Sequence, residues 1–180
     1  MPRDLPILAL SVRQPWAWAI IHGGKDIENR THGSIKSGQM RPGQICIHAA
    51  TGLTEEEYRW SVYKLQQVGV TPPRPDDLVR GAIIGTVEVT DIVTKSDSPW
   101  FGGPCGLVLR DPKGVDPIAA PGALGYLEWA PSGAVVSPRP WMMRYDRANG
   151  DDRTRDLFPD LNQSFATPPP RPYPKSKPAD

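Results

Sequence analysis

The stretch Ser11-Val12-Arg13-Gln14-Pro15-Trp16-Ala17-Trp18-Ala19-Ile20-Ile21-His22-Gly23-Gly24-Lys25-Asp26-Ile27-Glu28-Asn29-Arg30-Thr31 turns abruptly from apolar to charged. Pro15 suits the first turn of a helix, where its missing N–H costs nothing. The run that follows, to Ile21, is apolar on every side, which predicts a helix buried all round with Trp16 and Trp18 in the core. Gly23-Gly24 is the expected stop, because glycine tolerates the left-handed conformation that ends helices. Asp26 to Thr31 reads as a strand, with Glu28 and Arg30 on one face and Lys25, Ile27 and Asn29 on the other. Charges that directly follow a buried element are held in position, so Lys25, Glu28 and Arg30 form a candidate site. Read from these residues alone, an ion-pair cluster that stabilises a strand end is the commoner use of such a triplet.

Working outward, Ile7 to Ser11 is a short apolar strand, Pro42-Gly43 a turn, and Gln44-Ile45-Cys46-Ile47-His48-Ala49 an alternating strand. Thr54-Glu55-Glu56-Glu57 has the spacing of a capping box. The helix it opens carries Tyr58, Val62 and Leu65 on one stripe and ends at Gly69 and the prolines at 72 and 73. Gly81 to Val93 is the longest strand pattern. Alternation puts Ile84, Thr86, Glu88, Thr90 and Ile92 on one face, and Ile83, Val87, Val89, Asp91 and Val93 on the other. Gly106 to Leu109 and Leu124 to Trp129 supply two more strands. Short strands with two helices fit an α+β fold built on a closed or half-closed β-barrel.

A chain of 180 residues is long enough for one domain with a real core. With 21 basic and 20 acidic residues, it lacks the basic excess of a protein that coats duplex DNA. Two cysteines make no disulfide framework, the N-terminus has no signal-peptide apolar region, and no apolar run approaches membrane-spanning length. These features predict a cytoplasmic protein with no membrane partner. The 22 prolines are unevenly placed, with one cluster at residues 72–75 and another in the basic stretch Thr167–Pro178. Residues 1–150 are therefore expected to form the domain and residues 151–180 a proline-rich, extended, solvated tail.

Arg13-Gln14-Pro15-Trp16-Ala17, followed by Gly23-x-Lys25-x-x-Glu28-x-Arg30, resembles the signature of ASCH domains, small barrels of the PUA-like superfamily. Gln44 to Ala49, Gly81 to Val89 and Pro121-Gly122-Ala123-Leu124-Gly125 agree, and the resemblance covers about residues 6–130. It implies a PUA-like barrel of mixed, mostly antiparallel strands with two or more flanking helices. It also implies that the charged triplet lines a cleft beside the barrel. Lysine and arginine there could hold a phosphate or a base carbonyl, and a carboxylate could accept from a base amino group. The same set could polarise an amide carbonyl and steer a water.

Glu88 admits two readings: an exposed residue on a solvent face, or a buried carboxylate lining the cleft. PUA-like relatives that hydrolyse acetylated cytidine use a lysine–threonine–glutamate set, and Glu88 is the best positional match to its carboxylate. Three residues after Lys25, however, stands Glu28 instead of threonine, and Thr31 is out of register. Trp100 and Phe101, on a Gly/Pro-rich loop, could stack an unpaired base or plug the barrel. Cys46 and His48 share a strand face, but no second pair stands at zinc-like spacing, so no metal is expected. Walker, Rossmann, nucleophile-elbow and zinc-protease motifs are missing, and no cofactor is expected.

The expected function is a nucleic-acid or nucleotide-binding module that receives one base or nucleoside, modified or not. Lys25, Glu28, Arg30, Arg13 and Trp100 are its candidate binding residues. RNA is favoured as partner, DNA is left open, and the protein is expected to be a monomer. The alternative is a hydrolase acting on an acylated nucleoside or on RNA, with Lys25, Glu28 and Glu88 as candidate catalytic residues.

Overall fold

The computed structural model describes residues 4–144. The domain limit expected at residue 150 and the proline-rich segment 151–180 lie outside the described residues. Ten elements follow in chain order: β1 (Leu8–Val12), α1 (Trp16–His22), β2 (Ile27–Arg30), α2 (His32–Ser37), β3 (Gly43–Ala49), α3 (Glu55–Gln67), β4 (Ala82–Val93), β5 (Cys105–Ala119), β6 (Tyr126–Glu128) and a 3-10 turn (Met142–Arg144). The strands form one sheet in the order β2-β5-β4-β3-β1-β6. Only β1 and β3 pair in parallel; every other neighbour is antiparallel. The sheet curls into a half-barrel, and with the helices it makes an α+β architecture.

Curling requires the long strands to bend. The ladder between β4 and β5 shifts register at Ile83/Gly85, Thr86/Glu88 and Val89/Asp91. Each irregularity kinks the strand and raises its twist. The uninterrupted alternation expected for β4 is therefore wrong. Ile84, Val87 and Val89 all enter the main core, whereas Ile83 packs with Ala9, Cys46 and Trp129 on the other side. β5 also runs ten residues beyond the expected Leu109, to Ala119. That extension carries Pro112 and Pro117 and pairs with β4 alone, the edge position where a strand tolerates proline.

α1 lies in the hollow of the sheet. Ala17, Ile20 and Ile21 join Leu10, Val12, Ile45, Ile47, Val87, Val89, Leu107 and Leu109 in the core. Close approach depends on Gly85, where a Cβ would sit 2.6 Å from Ile21 Cδ1. Burial of α1 is not complete all round as expected: Trp16 and Trp18 are half-buried and His22 is exposed. The indole rings instead reach α3, with Trp16 edge-on to Trp60 at 6.2 Å and Trp18 packed by Leu53 and Tyr58. The capping box at α3 is present, with Thr54 Oγ1 accepting from the Glu57 N–H and Glu57 Oε2 from the Thr54 N–H.

α2 was not expected, because His32-Gly33-Ser34-Ile35-Lys36-Ser37 has no apolar period. Its local signal is a second capping box, Thr31 with Ser34. This short helix carries the chain from the β2 edge to the β6 edge. There the Tyr126 N–H donates to the Gly38 carbonyl at 3.0 Å, and Gly125 packs on Gly38.

Candidate functional site: a clamped carboxylate at the sheet edge

The end of α1 places Lys25. Gly24 takes φ 71°, the chain reverses, and the Lys25 N–H donates back to the Ala19 carbonyl at 3.0 Å. Lys25 precedes β2, so strand alternation does not govern its side chain. It turns back onto the Ile27 carbonyl and onto Glu28 Oε2 at 2.8 Å. The structure thus joins Lys25 to Glu28, where alternation had put them on opposite faces. Glu28 and Arg30 do share a face, and Arg30 Nη2 lies 3.1 Å from Glu28 Oε1. One carboxylate is held by two cations, one on each oxygen.

Glu28 lies opposite Leu107 in the β2–β5 ladder, on the face that lines the hollow. Lys25 is 5% exposed and Glu28 8%. Burial alone would raise the Glu28 pKa, but the charges of Lys25 and Arg30 and their hydrogen bonds outweigh it and hold the carboxyl below its ordinary range. Arg30 is the member that reaches solvent, with its side chain 20% exposed. Its Nη2 also donates to the Ser11 carbonyl at 3.2 Å, while its buried Nε finds no acceptor among the described residues.

Three residues that sequence reasoning did not select border this cluster. Cys105 faces Arg30 across the ladder, and its buried thiol lies 3.1 Å from His32 Nδ1. Tyr126 lines the hollow beside Leu10, with its hydroxyl donating to the Arg41 carbonyl at 2.9 Å. Burial raises the Tyr126 pKa, partly offset by the Arg41 carbonyl and the charges of Arg41 and Arg30. Pairing of β5 with β2 sets Cys105 opposite Arg30, and pairing of β6 with β1 places Tyr126 in the hollow, whereas His32 follows Arg30 by two residues in the chain.

The remaining candidates go elsewhere. Arg13 pairs with Glu57 at the start of α3 and is about half exposed. Glu88 lies opposite the exposed Gln44 and Arg110, between the core residues Val87 and Val89, on the solvent face of β4. The structure therefore does not bring Glu88 to Lys25. Trp100 belongs to a loop fastened to the opposite face of β2. Asn29 Nδ2 donates to the Trp100 carbonyl and Asn29 Oδ1 accepts from the Gly102 N–H, both at 2.8 Å. Ser98 Oγ reaches Asp26 Oδ1 at 2.5 Å. Phe101 packs on Gly106 on that same outer face, away from the hollow, so it does not plug the barrel; Phe101 and Trp100 are both half-buried.

Cys46 donates to the Pro6 carbonyl, and burial pushes its thiol up to about 11 despite a hydrogen bond with Trp129. Both ring nitrogens of His48 have protein partners. Among the described residues, no three His, Cys, Asp or Glu side chains gather as metal ligands, and no helix is long and apolar enough to cross a membrane.

A family model described as the ASCH domain matches residues 10–130. No curated protein matches the chain. Among solved structures, a crystal structure of a mutant ZmASCH protein from Zymomonas mobilis is similar at 18% identity and a TM-score of 0.35. The match covers 76% of this chain and 91% of that one.

Proposed function

This chain belongs to the ASCH domain family, and from that premise we propose that it binds a single unpaired base or nucleoside, preferably of RNA, at Arg30. The observation that carries this reading is the clamp on Glu28. A carboxylate fixed on both oxygens by Lys25 and Arg30 does little proton transfer, but it orients a guanidinium firmly. The orphaned Nε of Arg30 is a donor aimed at no protein acceptor among the described residues. The Arg30 side chain is 20% exposed, and the part of a planar guanidinium that reaches solvent is well matched to the acceptors of a base edge or a phosphate. Lys25 then acts through Glu28, because it is buried and already engaged. A chain of net charge +1 suits recognition of one nucleotide better than binding along a duplex.

A hydrolase built on Lys25, Glu28 and Glu88 has less support. Glu28 is held ionised, away from the elevated pKa of a general acid, and Glu88 is on the solvent face.

Calorimetric titration with nucleoside monophosphates, single-stranded RNA and single-stranded DNA tests the proposal. Arg30→Gln should weaken RNA binding about 10- to 150-fold, the equivalent of one charge-assisted hydrogen bond. Equal binding by wild type and Arg30→Gln, or no binding by a folded wild type, would remove the reading.

A further inference from the structure

Ser11 and His48 are direct neighbours in the parallel pair of β1 and β3. Their side chains meet on the face opposite the hollow, where Ser11 Oγ lies 2.8 Å from His48 Nδ1. The other ring nitrogen, Nε2, lies 2.9 Å from the Ala120 carbonyl. A carbonyl oxygen only accepts, so Nε2 carries the proton and Nδ1 presents a lone pair. The Ser11 hydroxyl is therefore the donor to Nδ1. A hydroxyl, an imidazole that takes its proton, and a third group that fixes the imidazole are the parts of an activated nucleophile.

We propose that Ser11 Oγ is a nucleophile toward carboxylic esters, with His48 as its general base and the Ala120 carbonyl holding the ring. His48 is 1% exposed while Ser11 is half-buried, so the base is shielded and Ser11 is the partly accessible member of the pair. Burial lowers the His48 pKa despite the Ala120 hydrogen bond, which keeps the lone pair available at neutral pH. Gly122 packs closely against the pair: a Cβ there would stand 2.5 Å from His48 Cε1 and 2.6 Å from Ser11 Oγ, so only glycine fits over this side of it.

The reaction closes on itself. Ser11 Oγ attacks the ester carbonyl carbon and its proton passes to His48 Nδ1. The C–O bond to the alcohol breaks, and the departing oxygen takes the proton from Nδ1. Water then attacks the acyl-serine, its proton moves through Nδ1 to Ser11 Oγ, and the acid is released. The net change is ester plus water to acid plus alcohol. Neither step needs a nucleoside, so this inference is independent of the proposed base binding.

The full chain incubated with p-nitrophenyl acetate tests it, read by released p-nitrophenol and by peptide mass. Wild type should give a burst and one acetyl group on the peptide containing Ser11. His48→Gln should slow acylation about 100-fold or more, and Ser11→Ala should abolish it. Ser11→Cys keeps a polar partner for His48 and should acylate as a thioester cleaved by hydroxylamine. Absence of a Ser11 adduct in folded wild type, or an unchanged rate in folded Ser11→Ala, would show that the pair is only a structural tie between β1 and β3. Nucleoside binding, read at Arg30, would be unaffected by that result.

Discussion

Arg30 donates to the carbonyl of Ser11 at 3.2 Å, and this bond joins two strands that the sheet itself leaves apart. β2 is one end of the sheet order and β6 the other, and β6 pairs only with Leu8, Ala9 and Leu10. Ser11 is the first β1 residue beyond that ladder, so the guanidinium takes over where β6 ends. The same nitrogen holds Glu28, which makes the edge-to-edge contact and the candidate site one unit.

Arg30→Lys should break that unit, because a single ammonium on a flexible stem lacks the planar fork. Loss of one or two charge-assisted bonds costs about 1.5–3 kcal/mol each at most. Thermal unfolding should show a fall of several degrees, about 2–4 °C per kcal/mol for a domain of this size. An unchanged melting temperature would mean the bond to Ser11 carries no stability.

Glu28→Gln should be more damaging than the loss of a surface ion pair. It leaves Lys25, 5% exposed, without its counter-charge, and stranding a buried charge costs about 3–5 kcal/mol. Lys25→Met in the same chain removes the stranded charge and should restore most of the stability. Urea unfolding of wild type, both single variants and the double variant gives the coupling directly. Additive effects would show that the two side chains do not form an energetic pair.

Acid should unfold the protein in two stages. His48 has a folded pKa below its unfolded value of 6.5, so the unfolded chain takes up the proton first and stability falls as pH drops below 6.5. Glu28 likewise has a folded pKa below 4.5; its contribution is complete above that value and is lost as pH falls through the folded pKa. Urea midpoints between pH 8 and pH 2.5 should therefore decline in both windows. His48→Gln should flatten the upper one and Glu28→Gln the lower one.

Gly125→Ala tests the seam made by α2. Gly125 takes φ 76°, and a Cβ there would meet Gly38 Cα at 2.5 Å. Backbone conformation and contact both oppose the side chain, for a cost of about 1–3 kcal/mol. Hydrogen exchange at Tyr126, whose N–H donates to the Gly38 carbonyl, should accelerate more than exchange in β4.

Cys46 should be chemically silent. Burial holds its thiol at a pKa of about 11, so little thiolate exists near neutrality. In Cys105→Ser protein, a thiol reagent at pH 8 should react only as fast as the chain unfolds.

The run from Ser11 to Thr31 determined much by local chemistry alone. It placed a proline-started apolar helix, a glycine stop and a charged strand after it, and the capping box at Thr54 was equally legible. These depend on residues within one or two turns of each other, so short-range spacing encodes them. What surrounds the charged strand depends on ladder register. Pairing with β5 sets Cys105 opposite Arg30, irregularities in β4 bring Ile84 to the face of Val87 and Val89, and the parallel β1–β3 pair brings Ser11 to His48. Lys25 joined Glu28 because the left-handed Gly24 aims it back toward α1, outside strand alternation. Sequence determined which residues carry charge and where the chain must turn. Tertiary structure decided which of them meet, because a one-residue shift in a strand exchanges its faces, and only the assembled sheet sets that count.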